Sequence, residues 1–226
     1  MVSAIVVAAG SSSRMGVDKL LLEFGGVPVV VRSIRALEQV EEIGEVVVVT
    51  REERLAQYRQ LKETFALKKV TRIVAGGETR QQSVLEGVRA ADPSAEYVAI
   101  HDGARPFVSP EEITRVLADA ERFGAATLGV PVKDTVKVVS PDGMITATPD
   151  RSSLYLTQTP QVFRREVYLQ GIEAARRSGL DFTDDCQLVE YAGHRVYMTC
   201  GSYRNIKLTT EDDLAIANAF LRDNNR

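Results

Sequence analysis

The chain has 226 residues, 44% hydrophobic and 26% charged, with a formal net charge of −3. That length buries roughly 70% or more of the unfolded surface without disulfides or a structural metal, and the mild acidity argues against nucleic-acid binders, which are normally basic. Cys186 and Cys200, in no CxxC pattern, read as buried thiols of a reducing cytoplasm, the two histidines are too few for a histidine-based metal site, and no apolar run nears the ~20 residues of a membrane span.

The N-terminal run MVSAIVVAAG is apolar but has no positive leading region and passes straight into Gly and Ser, so it reads as a strand and not a signal peptide. Ser3–Ala8 is β-branched and apolar throughout, as in a strand buried on both faces. Val27–Val40 has helical spacing, Glu45–Thr50 is a second buried strand, and Arg51–Phe65 is charged and helical. Val70–Val74 reads as a strand, Gln81–Ala91 as a helix, and Tyr97–Ile100 as a strand ending at His101-Asp102-Gly103. Ser109–Phe123 is a helix with a capping box, Ser109 with Glu112, and Pro110 at its first position. Ala126–Val130 is a strand. Strand and helix alternate to this point, which predicts an α/β fold: a mostly parallel sheet with helices on both faces. Ligands of such sheets bind at the carboxyl ends of the strands, so the loops after Ala8, Val74 and Ile100 are expected on one rim.

The rhythm then breaks. Lys133–Val139 and Met144–Thr148 alternate polar and apolar around Ser140-Pro141-Asp142-Gly143, which predicts a projecting two-stranded arm at about 132–155. An arm without its own core is a candidate dimerisation element of an otherwise single-domain chain. Arg165–Arg177 and Asp184–Tyr191 read as helices, Arg195–Thr199 as a strand, and Thr210–Leu221 as a last helix capped by Thr209 or Thr210.

Three segments carry chemistry. Ala8-Ala9-Gly10-Ser11-Ser12-Ser13-Arg14-Met15-Gly16-Val17-Asp18-Lys19 places small residues after a buried strand, where backbone N–H groups can approach a phosphate chain. Arg14 offers a forked donor and Lys19 a mobile charge. The loop is neither a Walker A nor a GxGxxG motif, and a plain strand–helix connection is the alternative. In Gly76-Gly77-Glu78-Thr79-Arg80-Gln81-Gln82-Ser83 the glycines permit tight backbone near a base or ribose, and Arg80 and Ser83 can face the same way; a turn before a solvated helix is the alternative. In His101-Asp102-Gly103-Ala104-Arg105-Pro106, Asp102 suits a Mg²⁺ held mainly by phosphates, Arg105 can meet an anion, and His101 reads as a turn residue without a catalytic role. A turn-capping aspartate is the alternative for Asp102. Asp134-Thr135, Asp150-Arg151, Gln158–Gln161, Phe182–Asp185 and Asn205–Lys207 each read, alone, as exposed turns or caps.

In this order the segments VVAAGSSSRM, GGETRQQSV, HDGARP, VKDTVK, QTPQVF, FTDD and NIKLTTEDDL resemble the 2-C-methyl-D-erythritol 4-phosphate cytidylyltransferases, CTP-using enzymes of non-mevalonate isoprenoid synthesis. The resemblance implies a Rossmann-like nucleotidyltransferase fold, a homodimer joined through the arm, and a divalent cation, usually Mg²⁺. It implies Arg14 and Lys19 as catalytic cations and Ala8, Ala9 and Gly10 as triphosphate-binding backbone. Gly77, Glu78, Arg80, Ser83 and Gly103 match nucleotide-binding positions, and Asp102 the metal-linked acid. Arg105, Thr135, Arg151, Thr159, Thr183 and Lys207 match positions that contact the polyol phosphate, some across the dimer interface. The stretch RMGVDKLLL departs from the family's usual PKQ around the lysine and is similar to molybdenum-cofactor nucleotidyltransferases. Ribitol 5-phosphate cytidylyltransferases share most of these motifs, so the polyol stays open at this point, as does a non-catalytic nucleotide-binding regulator.

Overall fold

The computed structural model describes residues 1–10 and 19–223, so Arg14 and the rest of 11–18 lie outside the described residues. In chain order the elements are β1 (Val2–Val7), the short pair β2 (Glu23–Phe24) and β3 (Val27–Pro28), α1 (Val29–Glu38), β4 (Ile43–Thr50), α2 (Leu55–Thr64), β5 (Val70–Ala75), α3 (Arg80–Ala90), β6 (Tyr97–Asp102), α4 (Pro110–Phe123), β7 (Ala125–Pro131), β8 (Val138–Val139), β9 (Ile145–Ala147), β10 (Tyr155–Arg164), α5 (Arg165–Ser178), α6 (Asp185–Tyr191), β11 (Tyr197–Cys200) and α7 (Glu211–Asp223). Seven strands form one sheet in the order β11-β7-β10-β6-β1-β4-β5. Every pairing in it is parallel except the two that β10 makes with β6 and β7.

The apolar runs behave as a doubly covered sheet requires. Successive side chains of a strand point to opposite faces, so Ala4 and Val6 of β1 join one core while Ile5 joins the other. Val46 and Val48 of β4 go with the first, Val47 and Val49 with the second. The first core is closed by α1, α4 and α7 through Val30, Ile34, Leu37, Ile113, Leu117 and Ala217. The second is closed by α3, α5 and α6 through Val84, Val88, Tyr168, Ala175 and Leu188. Each fully buried Ile, Val or Leu contributes roughly 1.5–3 kcal/mol, so β1 and β4, buried along nearly their whole length, anchor both layers. Gly87 lets α3 lie close on the sheet: a Cβ there would stand 2.4 Å from Ile5 Cγ2 and 2.7 Å from Val49 Cγ2.

Four expectations change. The helix expected from Val27 starts at Val29, because Val27 and Pro28 pair with β2 and Pro28 supplies the entry. β6 runs on through Asp102, so His101 is a buried strand residue and not part of a turn. Gln158–Gln161, expected as an exposed turn, lies inside β10 with Gln158, Thr159 and Gln161 buried; this stretch backs the ligand-binding rim, while Val162 and Phe163 further along the strand enter the two cores. Of the two free thiols, Cys186 is buried but Cys200, at the end of edge strand β11, is exposed. The capping box of α4 forms as read, with Ser109 Oγ accepting from Glu112 N and the Glu112 carboxylate from Ser109 N. β8 and β9 pair as an exposed hairpin outside the main sheet. No helix of the described residues is long and apolar enough to cross a membrane.

Candidate active site

A cavity of about 450 Å³ opens at the carboxyl ends of the parallel strands. Its walls come from the segments expected on one rim: Val7, Ala9 and Gly10 at and after the end of β1, Gly77, Glu78, Thr79, Arg80 and Ser83 at the start of α3, Asp102 and Ala104 at and after the end of β6. Lys19, Leu20 and Lys207 complete it.

Each wall is held by local bonds. Arg51, just past β4, donates from Nη2 to Gly10 O at 2.9 Å and from Nε to Ala9 O at 3.3 Å, and so fixes the start of the first loop. Thr79 caps α3 by a box with Gln82, whose Oε1 also accepts from Glu78 N at 2.9 Å. Ser83 Oγ donates to Thr79 O at 2.9 Å. Gly76 allows the close approach of the two walls: a Cβ there would meet Ser83 Oγ at 2.6 Å and Ala9 Cβ at 2.8 Å. The α3 N-terminus thus faces the cavity with its helix dipole favouring an anion.

Asp102 forms the floor. Lys207 Nζ stands 2.9 Å from Asp102 Oδ2, Arg105 Nε 3.6 Å from the same oxygen, and Arg80 Nη2 3.8 Å from Oδ1. Burial alone would raise the Asp102 carboxyl; the charges of Lys207, Arg80 and Arg105 outweigh it and hold it at about 2, below the ordinary 3.8. Lys207 is delivered by its neighbours. Asn205, fully buried, donates from Nδ2 to Thr159 O at 2.9 Å, Leu208 N donates to Ala104 O at 2.9 Å, and Gln158 Nε2 donates to Ser202 O at 2.8 Å.

Behind the floor, His101 Nε2 faces Arg105 O at 3.2 Å and Nδ1 faces Thr159 Oγ1 at 3.0 Å. Burial pushes the His101 imidazolium down to about 4 despite the opposing charge of Asp102, so the ring is neutral at pH 7. A carbonyl only accepts, which assigns the proton to Nε2. Thr159 then donates to Nδ1 and accepts from Asp102 N at 3.0 Å. This chain pins both ends of the turn that carries Asp102.

Several expected site residues sit elsewhere. Ala8 is buried and its N–H is taken by Val49 O at 2.7 Å, and Gly103 N–H is taken by Val7 O at 3.0 Å, so neither amide faces the cavity. Thr159 is buried with its hydroxyl engaged on both sides, so it supports the floor and does not line it. Arg105 donates to Asn205 O at 2.8 Å and stands behind Asp102. Thr135 is exposed on the arm segment, Arg151 is exposed and donates from Nη1 to Lys133 O at 2.6 Å, and Thr183 is exposed before α6; none lines the cavity. Sequence reading missed Arg51, Gln158, Asn205 and His101 as supports. A cation just past a buried strand and polar residues within a β-prone run were the available signals.

The family profile described as IspD, 2-C-methyl-D-erythritol 4-phosphate cytidylyltransferase, matches residues 2–223. The chain belongs to this family. It is 45% identical to the enzyme of that name from Caldanaerobacter subterraneus over 98% of this chain and 99% of the relative. It is 46% identical to the one from Desulforamulus reducens over 98% and 96%. The solved 4-diphosphocytidyl-2C-methyl-D-erythritol synthase of Anaerococcus prevotii superposes with a TM-score of 0.88 at 34% identity, covering 98% of each chain. The cytidylyltransferase structure from Thermus thermophilus gives 0.80 at 32% identity, over 98% of this chain and 100% of that one. The family match spans all seven strands of the sheet, β10 included.

Because the Asp102 carboxyl is lowered on folding, its ion cluster stabilises the protein fully above about 4 and loses that contribution as pH falls toward about 2. Lys207→Ala removes the largest of the opposing charges, so Asp102 should titrate at higher pH than in the parent protein. A carboxyl ¹³C NMR titration reads this directly; an unmoved Asp102 resonance would show that Lys207 does not hold the acid.

Proposed function

We propose that this chain transfers CMP from CTP to 2-C-methyl-D-erythritol 4-phosphate. The observation that carries the reading is the convergence of Lys19, Arg80, Asp102 and Lys207 on one cavity of nucleotide size, in a chain of this family. An oxygen of the acceptor's phosphate attacks the α-phosphorus of CTP. The bond from that phosphorus to the bridging oxygen breaks, and pyrophosphate leaves with the electron pair. The nucleophile is already an anion, so no strong base is required. The difficulty is the approach of one polyanion to another, and catalysis is positioning plus charge stabilisation.

In this reading Ala9, Gly10 and the α3 N-terminus receive the triphosphate, and Gly77, Glu78 and Ser83 border the nucleoside. Arg14 and Lys19 stabilise charge on the α-phosphate and the leaving group. Lys207 serves the acceptor phosphate; Thr183 and Arg105, which match acceptor positions by resemblance, do not line the cavity. Among the described residues Asp102 and Glu78 are the carboxylates lining the cavity, Asp102 on its floor, and no group of three or more His, Cys, Asp or Glu is placed to hold a metal. That donor set fits Mg²⁺, which keeps waters and binds through one carboxylate plus substrate phosphates. When bound it would neutralise phosphate charge beside Asp102. The exposed free thiol of Cys200 fits a cytoplasmic location.

The arm supports a homodimer. Met144 and Ile145 are 65% and 62% exposed, with Val138 and Val139 beside them, and an apolar hairpin of this kind is stable only against a partner. Thr135 and Arg151 would then serve the neighbouring copy's acceptor site.

Pyrophosphate release should require CTP and methylerythritol phosphate together; equal turnover with ribitol 5-phosphate would move the acceptor to that polyol. Lys19→Ala and Arg14→Ala should each lower kcat by about 10²–10³ with the fold retained, and near-normal turnover in either would refute its catalytic assignment. Light scattering should give twice the chain mass for the parent protein and the single-chain mass for Ile145→Asp. A variant that remains fully dimeric would exclude the arm as the interface.

A further inference from the structure

The wall of the cavity that carries Arg80 rests on a buried acid that the reaction does not use. Arg80 Nη1 lies 2.6 Å from Asp185 Oδ2, while its Nη2 reaches toward Asp102 at 3.8 Å. The other Asp185 oxygen, Oδ1, accepts from Tyr168 Oη at 3.0 Å. Tyr168 is wholly buried and Asp185 is 2% exposed, whereas the Arg80 side chain is 26% exposed on the cavity side. The Tyr168 ring packs on Phe163 of β10 at a centroid distance of 5.5 Å. Asp185 is held by the start of α6, whose capping residue Asp184 accepts from Gln187 N and from Gln161 Nε2 of β10. The line from core to ligand therefore runs Tyr168, Asp185, Arg80.

A charge in this place calls for a reason. Burying a carboxylate and a guanidinium costs several kcal/mol in desolvation, and a well-packed apolar pair of the same volume often serves stability as well or better. What an apolar pair could not do is fix the direction of an arginine at a ligand surface. Without Asp185, the nearest acid for Arg80 is Asp102, on the cavity floor. The guanidinium would then swing from the wall to the floor and compete for the carboxylate that Lys207 and any bound cation use.

We propose that Asp185, braced by Tyr168, is a positioning residue that holds Arg80 on the nucleotide wall of the cavity and limits its approach to Asp102 to 3.8 Å. The inference rests on the CTP reading above, and it makes the second acid of the FTDD segment part of the nucleotide site at one remove.

The sign of the effect separates positioning from simple electrostatics. Asp185→Asn removes a negative charge near a polyanion site, so a purely electrostatic or merely structural role leaves CTP binding unchanged or tighter. Positioning predicts weaker binding. Calorimetric titration of the full-length protein with CTP and Mg²⁺ should show about tenfold weaker binding in Asp185→Asn and about threefold in Tyr168→Phe, with KM for CTP rising in step and kcat changing less than KM. If Asp185 acts through Arg80, the effects are not additive. In an Arg80→Met background, adding Asp185→Asn should change CTP affinity by less than about twofold. Wild-type affinity in Asp185→Asn, or the full loss repeated in the Arg80→Met background, would overturn the proposal. Tyr168→Phe keeps it testable if Asp185→Asn fails to fold, because normal CTP affinity in that variant would also refute the brace. Since CTP binding is read without the acceptor, failure of this inference is distinct from failure of the acceptor assignment, which appears as missing product in the parent protein.

Discussion

The site depends on one buried carboxylate kept ionised. Asp102 sits where water is scarce and burial raises its carboxyl, yet Lys207 and Arg80, from distant parts of the chain, and Arg105, three residues on, hold it charged. The cluster is reciprocal. The three cations would repel one another without the acid, and burial would raise the acid's carboxyl without them. Desolvated charges of this kind are favourable only when geometry is fixed, and much of the surrounding structure serves to fix it.

The sheet topology explains how that is done. β6 brings Asp102 to the carboxyl edge, α3 begins at Arg80 on the same edge, and the segment after β11 returns to lay Lys207 across them. The return is secured by β10, the one antiparallel strand, whose Gln158 and Thr159 bond to Ser202, Asn205, His101 and Asp102. A purely parallel sheet would bring an apolar strand to this position. The polar stretch Gln158–Gln161 of β10 supplies a hydrogen-bonded support beneath the cavity floor, while Val162 and Phe163 of the same strand pack in the cores.

The apolar strands and capped helices were legible because their signals are local. Runs such as EVVVVT and the Ser109–Glu112 box carry their own periodicity and partners. The cavity walls were legible through ordered motifs, and Ala9, Gly10, Gly77, Glu78, Arg80, Ser83, Asp102 and Lys207 do meet. β10 was not, because Gln158-Thr159-Pro160-Gln161 is turn-like in composition and becomes a strand only between β6 and β7. Asp185 was not, because a buried acid and an N-terminal helix acid look alike until Tyr168 and Arg80, respectively 17 residues away and across the sheet edge, are brought to it. Thr159 and Ala8 are buried behind the cavity wall: a motif reports that a residue matters near a site, not which side of the wall it is on.

The account stands on the charge of Asp102, and its most direct test is Asp102→Asn, an isosteric change that removes only that charge. Pyrophosphate release from CTP and methylerythritol phosphate should fall by about 10²-fold or more, as for loss of a preorganised charge, with circular dichroism unchanged. Near-parental turnover in a folded Asp102→Asn protein would contradict it.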